Sequence, residues 1–403
     1  MQVKSLAEDT MSLISFPLRI AKRGHLRRAL LFAATLLVTL LSALSARAQK
    51  SGALIGIVEA PAASQDAQDF SSVHPPKFKT LWIAPDPSGK LQVLTTIPEL
   101  VVPHKDGFWH VGVQQVCELY QTVPDEAGNE SLNQYVWAAP VGKAGVIETD
   151  KACPLRKPED YVVRRSTEAD DKKVTQCGFT LTDIEFVSPA LISYKNFYTQ
   201  SENCEERGGR FSVNHYVRDY DSGEKVSFAK LLGPQAGQSY VKAAPASAKD
   251  DNGEDCGEPF TNRDTDWRVG RNNGRWGAFF SQNVGNFGCA VDVPVRFRLP
   301  AAVTGESAAI TDWKPYQAKE ADLQDGFIAP TGDLAIIVTK TEIKFYEVRA
   351  GAPGNVLLTI PAAEVVMMQW STGTHVPDWT AQMEKISKLP SPPVARQIKK
   401  DSE

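Results

Sequence analysis

Asp251, Gly253 and Asp255 fall in the acidic stretch Lys249-Asp250-Asp251-Asn252-Gly253-Glu254-Asp255. Carboxylates spaced around a glycine are what a calcium-binding loop requires, because a hard cation takes oxygen ligands and the chain must turn tightly around it. Asp251 and Asp255 are therefore the candidate metal ligands, with calcium as the ion. The spacing of the twelve-residue calcium loop and its closing Glu are missing, and a solvated acidic loop is the competing reading. Asp219-Tyr220-Asp221-Ser222-Gly223 has a similar look, but it lies between strand-like Phe211 to Val217 and Lys225 to Phe228, where a hairpin turn accounts for it.

Tryptophans supply the second kind of candidate. Trp82, Trp109, Trp267 and Trp276 lie in strand-like runs and could form a stacking platform for a sugar or peptide, against the ordinary alternative that they fill a core. Five histidines follow residue 48, namely His74, His104, His110, His215 and His375, with none spaced as a metal pair. Gly-x-Ser-x-Gly, His-Glu-x-x-His and a phosphate-cradling glycine loop are absent. No catalytic residue can be named, which lowers the expectation of an enzyme without excluding a triad assembled from distant positions.

The six cysteines, Cys117, Cys153, Cys177, Cys204, Cys256 and Cys289, include no Cys-x-x-Cys, so zinc and thioredoxin-type chemistry have no support. In an exported chain an even number reads as up to three disulfides, with pairing of neighbours in order as the working expectation.

Export is written at the start of the chain. Arg19, Lys22, Arg23, Arg27 and Arg28 precede the uncharged run Ala29 to Leu44, and Ala46-Arg47-Ala48 has the small-x-small form that a signal peptidase accepts. Cleavage after Ala48 delivers the protein to the periplasm or the medium; the rival is an uncleaved segment that anchors it to the membrane. Residues 1–48 carry seven Lys and Arg and two Asp and Glu, so their removal takes the net charge from −4 to −9. An acidic surface without a basic stripe argues against a nucleic-acid partner.

The remainder predicts a mainly β, β-rich α+β fold of antiparallel hairpins and meanders with few short helices. Residues 49–76, rich in Ala, Ser, Gln, Asp and Pro, read as a flexible tether with one strand at Ala53 to Val58. A single globular body covers 77–390, with a possible subdivision near 245–260, and a disordered tail covers 391–403. Short apolar runs cut by turn residues mark strands at Leu81 to Ile83, Leu91 to Thr96, Leu100 to Val102 and Phe108 to Val116. Asn272-Asn273-Gly274 marks a hairpin between Asp266 to Arg271 and Arg275 to Phe280. Four consecutive strands are expected at Leu334 to Val338, Ile343 to Val348, Val356 to Ile360 and Val365 to Trp370. Helices are expected in Phe228 to Ala244, broken at Gly233-Pro234, and in Trp379 to Leu389, capped by Asp378. Ile83-Ala84-Pro85 with Gly89, Leu91 and Thr95 is echoed by Ile328-Ala329-Pro330 with Gly332, Leu334 and Thr339, which raises a β-propeller-like alternative against ordinary turn chemistry.

Ile192-Ser193-Tyr194, Gly208-Gly209-x-Phe211, Asp219-x-Asp221-x-Gly223-x-Lys225 and Phe228-x-x-Leu231-Leu232 resemble the extracytoplasmic RsiV-like domain of lysozyme-sensing anti-sigma factors and of some polysaccharide-deacetylase proteins. The resemblance spans residues 191–233, and Gly208-Gly209-Arg210 stands where that family has Gly-Ala-His. It implies an α+β module that binds a protein or a cell-wall component. An exported binding or envelope-associated protein without catalytic machinery is thus the leading expectation. A hydrolase of envelope polysaccharide, or one with a propeller-type metal site, is the alternative, and a structural partner in a secreted assembly is a third.

Overall fold

The computed structural model describes residues 51–61, 74–120, 129–142, 175–200, 211–249, 255–257, 259, 264–272, 274–284, 289–305, 310 and 312–390. All of these belong to one compact unit, Gln49–Glu403. The fold is mainly β and antiparallel, with five short helices among the described residues.

Ten strands form one large curled sheet: β1 (Ser51–Ala60), β2 (Lys77–Pro85), β3 (Leu91–Ile97), β4 (Leu100–His104), β5 (Gly107–Tyr120), β6 (Asn129–Pro140), β7 (Thr175–Val187), β8 (Leu191–Gln200), β9 (Phe211–Asp219) and β19 (Glu364–Thr372). Its main path runs β3-β2-β1-β19-β7-β6-β5-β4, with β8 and β9 continuing from the other edge of β7. All neighbours are antiparallel except β19–β7 and β6–β7. Residues 51–60 contain the strand expected at Ala53 to Val58, but it is no part of a tether: it is an interior strand hydrogen-bonded to β19 on one edge and β2 on the other. Six of its ten residues are buried from Ser51 to Gly56. An apolar run buried on both faces satisfies its backbone only by pairing on both edges, and the Ala/Ser-rich flanks mask that signal.

A second sheet contains β12 (Trp267–Asn272), β13 (Arg275–Val284) and β14 (Cys289–Pro294). Here the expected Asn-Gly hairpin is present: Asn272 faces Arg275, and Gly274 takes φ 74°, the left-handed conformation its turn requires. Trp267 and Trp276 are not cross-strand partners, since Trp267 faces Phe280 and Trp276 faces Arg271. A third sheet is the meander β15 (Leu323–Ile328), β16 (Leu334–Thr339), β17 (Glu342–Arg349) and β18 (Ala352–Pro361). Of the four consecutive strands expected at the end of the chain, three stay in this meander and the last, β19, leaves it for the large sheet. The two echoing Ile-Ala-Pro stretches close two separate hairpins, β2–β3 and β15–β16, in different sheets. They are not blades around a common axis, so the propeller alternative is not the architecture. The stretch 245–260 contributes a small hairpin, β10 (Ala248–Lys249) with β11 (Asp255–Gly257).

Helix α1 (Phe228–Leu232) and helix α2 (Pro234–Ala243) break where Gly233-Pro234 predicts. Ser227 caps α1 by accepting from Lys230 N, so residues 225–228 give one bridge and a helix start instead of a strand. Two single turns follow, α3 (Ala301–Thr304) and α4 (Lys314–Gln317). Helix α5 (His375–Ser387) begins before the expected Trp379, because Pro377 fits the first turn without needing an N–H; Asp378 lies inside that turn and is not the cap.

The two faces of the large sheet bury two cores. On one, Trp82, Phe108 and Met367 meet α5; Trp82 Nε1 donates to Thr380 Oγ1 at 3.0 Å, and Trp379 stacks edge-on to Phe108. On the other, Phe186, Ile83 and Met368 meet Trp267, Phe280 and Phe345 of the smaller sheets together with Phe228 and Tyr240 of α1 and α2.

Candidate functional site

The site begins with a ladder that stops. β6 and β7 pair in parallel only from Asn129–Thr175 to Asn133–Thr180. At Gln134 the backbone ladder gives way to a side-chain clamp: Thr182 N donates to Gln134 Oε1 at 2.9 Å, and the Thr182 hydroxyl shares its proton between Gln134 O and Asn196 Oδ1. Beyond the clamp the strands part, and a groove of about 580 Å³ opens between Gln134–Ala138 of β6 and the β8–β9 hairpin.

The opposite wall is aromatic and cationic. Tyr194 and Tyr216 are directly paired across β8 and β9, and their rings stack 5.3 Å apart. Arg218 Nε donates to the Tyr194 hydroxyl at 2.6 Å, and Lys225 Nζ lies 4.3 Å from the centre of the Tyr216 ring. Lys225 is brought there by the turn that the sequence identifies. Asp219 Oδ1 accepts from the N–H groups of Asp221 and Ser222, Gly223 takes φ 66°, and Lys225 bridges back to Arg218. Burial raises the phenol pKa of both tyrosines, with the Arg218 charge opposing, so each hydroxyl is a neutral donor at physiological pH.

Tyr220 lines the groove's inner end. Its ring packs 5.9 Å from both Trp109 and His104, which are themselves 4.6 Å apart. The Tyr220 hydroxyl, Trp109 Nε1 and His104 Nδ1 are all buried and have no hydrogen-bond partner among the described residues. Burial holds the Tyr220 phenol well above its ordinary pKa.

A second cleft, of about 560 Å³, lies where β7, β12, β13, β15, β16 and β19 meet. Its charges are mostly matched. Arg271 grips both oxygens of Asp325 and donates to Gly326 O, with its guanidinium 4.7 Å from Trp276 and 4.0 Å from Phe327. Arg268 pairs with Asp292 and stands 3.8 Å from Glu185, whose other oxygen lies 3.1 Å from His215 Nδ1. Glu364 is different. It is an exposed residue that makes no ion pair among the described residues, and partial desolvation in the cleft raises its carboxyl pKa, with Lys195 opposing and Asp183 and Glu185 adding.

The four tryptophans do not share one surface. Trp82 and Trp267 are fully buried, in opposite cores, with Trp267 Nε1 donating to Val226 O at 2.7 Å. Trp276 is 4% exposed and lines the charged cleft, while Trp109 backs the aromatic groove through Tyr220. Asp255 lies on β11, where its Oδ1 accepts from Gly257 N at 2.9 Å. Asp251 lies outside the described residues. Among those described there is no cluster of three or more metal-ligating side chains. Cys256, the one cysteine whose side chain is described, is not a free thiol.

Tyr194, Tyr216, Arg218, Glu185 and Glu364 carry no local motif. For the tyrosines the available signal was the strand–turn–strand text around Asp219, which fixes the register that pairs them. For the glutamates it was a carboxylate inside an otherwise apolar strand run, as in Ile184-Glu185-Phe186. The sequence matches no protein-family model and no curated protein, so the functional reading rests on this geometry and chemistry.

Proposed function

We propose that this is an exported extracytoplasmic binding protein, periplasmic or secreted after cleavage at Ala48, that takes an envelope component or another protein in the groove between β6 and the β8–β9 hairpin. The observation that carries this reading is the stacked Tyr194–Tyr216 pair flanked by Arg218 and Lys225 on one wall of a concave groove. Flat rings with neutral hydroxyls and nearby cations bind polar ligands that present both a face and acceptor oxygens. The resemblance to the RsiV-like domain supports it, because residues 191–233 are those that build this wall. Disulfides and calcium at the acidic loop belong to the same proposal as stabilising elements of an exported chain.

The test is a thermal-shift titration of residues 49–403 with solubilised envelope polysaccharide and envelope peptides, in the wild type and in Tyr216→Ala. A melting-temperature rise in the wild type that disappears in the variant is expected. Equal shifts in both, or none in either, would reject the groove as the binding site.

The charged cleft favours a second reading, hydrolysis of envelope polysaccharide. Glu364, without an ion pair among the described residues, and Glu185, which stands beside Arg268 and His215, line the same cleft and offer the two carboxyl groups that such a hydrolysis uses. Release of reducing ends that Glu364→Gln abolishes would favour this reading over the first.

A further inference from the structure

From the way β6 leaves its neighbour, we infer that the groove recognises an extended acidic peptide of a partner protein, which adds as a strand along the free edge of β6. This rests on the groove being the binding site and goes further by naming the ligand class and its mode.

Three observations support the choice. β6 is fully laddered to β5 as far as Trp109–Pro140, but its ladder to β7 ends at Asn133. Val136, Trp137 and Ala138 therefore have no strand neighbour on the β7 side among the described residues, and all three line the groove. A strand edge facing a cleft presents backbone donors and acceptors at the strand repeat, which a peptide matches residue by residue and a glycan does not. The facing wall supplies the Tyr194–Tyr216 stack as an aromatic surface against which one face of the peptide packs. Charge sets the ligand's sign. Arg218 stands on this wall, its guanidinium donating to the neutral oxygens of Tyr194 and Gly223, and Asp219, the only carboxylate among the described residues lining the groove, has Oδ1 occupied by the turn amides. A ligand with carboxylate side chains meets the Arg218 cation there.

The experiment uses a random eight-residue peptide display library panned on residues 49–403, with the enriched sequences then made synthetically, unmodified and N-methylated at alternate residues. The expected result is enrichment of Asp- and Glu-containing peptides that lose affinity in Tyr216→Ala. N-methylation in one of the two alternating registers should weaken them roughly tenfold or more, and exchange of the Val136 and Ala138 amides, which face the free edge, should slow on binding. Peptides that need Tyr216 but tolerate methylation in both registers would overturn strand addition and leave the groove reading intact. Peptides that bind equally well to Tyr216→Ala would overturn both. Failure to enrich any peptide, alongside a polysaccharide thermal shift that Tyr216→Ala abolishes, would overturn the peptide and retain the groove.

Discussion

Phe228 gives the sharpest test of how the smaller sheets are held to the helices. It is fully buried at the start of α1, with its ring 5.0 Å from Trp267, 5.6 Å from Tyr240 and 5.9 Å from Phe297. A buried phenylalanine removes about 150 Å² from water. At about 25 cal/mol per Å² that is roughly 4 kcal/mol, of which the methyl kept in Phe228→Ala retains about 0.8 kcal/mol. The cavity left among three rings adds about 1 kcal/mol, so the expected loss is about 4 kcal/mol. Leu231, on the same short helix, is 38% exposed, and Leu231→Ala should cost under about 1 kcal/mol. Phe228→Leu should fall between them, at about 1.5 kcal/mol. Urea unfolding followed by tryptophan fluorescence reads all three, since Trp267 packs on the substituted ring. A loss below about 1.5 kcal/mol for Phe228→Ala, or an equal loss for Leu231→Ala, would refute the assignment of Phe228 as the anchor of α1.

Glu364 predicts a pH dependence of definite sign. Partial desolvation in the cleft, opposed by Lys195 and reinforced by Asp183 and Glu185, raises the folded pKa of this exposed residue above that of the unfolded chain, so the folded state holds the proton to higher pH and stability falls slightly as pH rises through the folded value. Glu364→Gln should therefore melt higher than the wild type at neutral pH and converge with it in acid; a difference that does not change with pH would refute this. Cys256 lies on β11, whose partner β10 packs against β14, the strand that starts at Cys289. Non-reducing peptide mapping of exported material should recover a Cys256–Cys289 cross-link, and six free thiols would count against the disulfide proposal. Intact mass of the same material should place the first residue at Gln49, whereas a chain starting at Met1 or Met11 would rule out cleavage.

The fold class was legible because most of its strands are short apolar runs between strong turn formers, and the Asn272–Gly274 hairpin illustrates how little context such a signal needs. β1 was harder. Its apolar run is visible, but nothing local says that it is flanked by β19, whose residues lie at the other end of the chain. The site was less legible still. Tyr194 and Tyr216 become neighbours through the β8–β9 register, yet the groove lies where β6 parts from β7 past the Gln134–Thr182 contacts, between strands more than forty residues apart in sequence. Among the tryptophans, chemistry alone could not separate Trp82 and Trp267, which fill opposite cores, from Trp109, which backs the groove. Aromatic rings in strands look alike until the sheet curls.

The pairing of β1 with β19 also sets an order of events. Ser51 faces Thr372, and Ser51 is further tied by its N–H and hydroxyl to Asp333. The middle of the large sheet thus joins the first described strand to the last, and it cannot close until nearly the whole chain is available. Contacts of such long sequence separation form late and slowly. A chain emerging from the ribosome or a translocation channel would keep the facing edges of β1 and β7 open until residues near 372 arrive. Under the proposed export, that delay keeps the chain threadable during translocation, and it makes the last strand the step that commits the sheet.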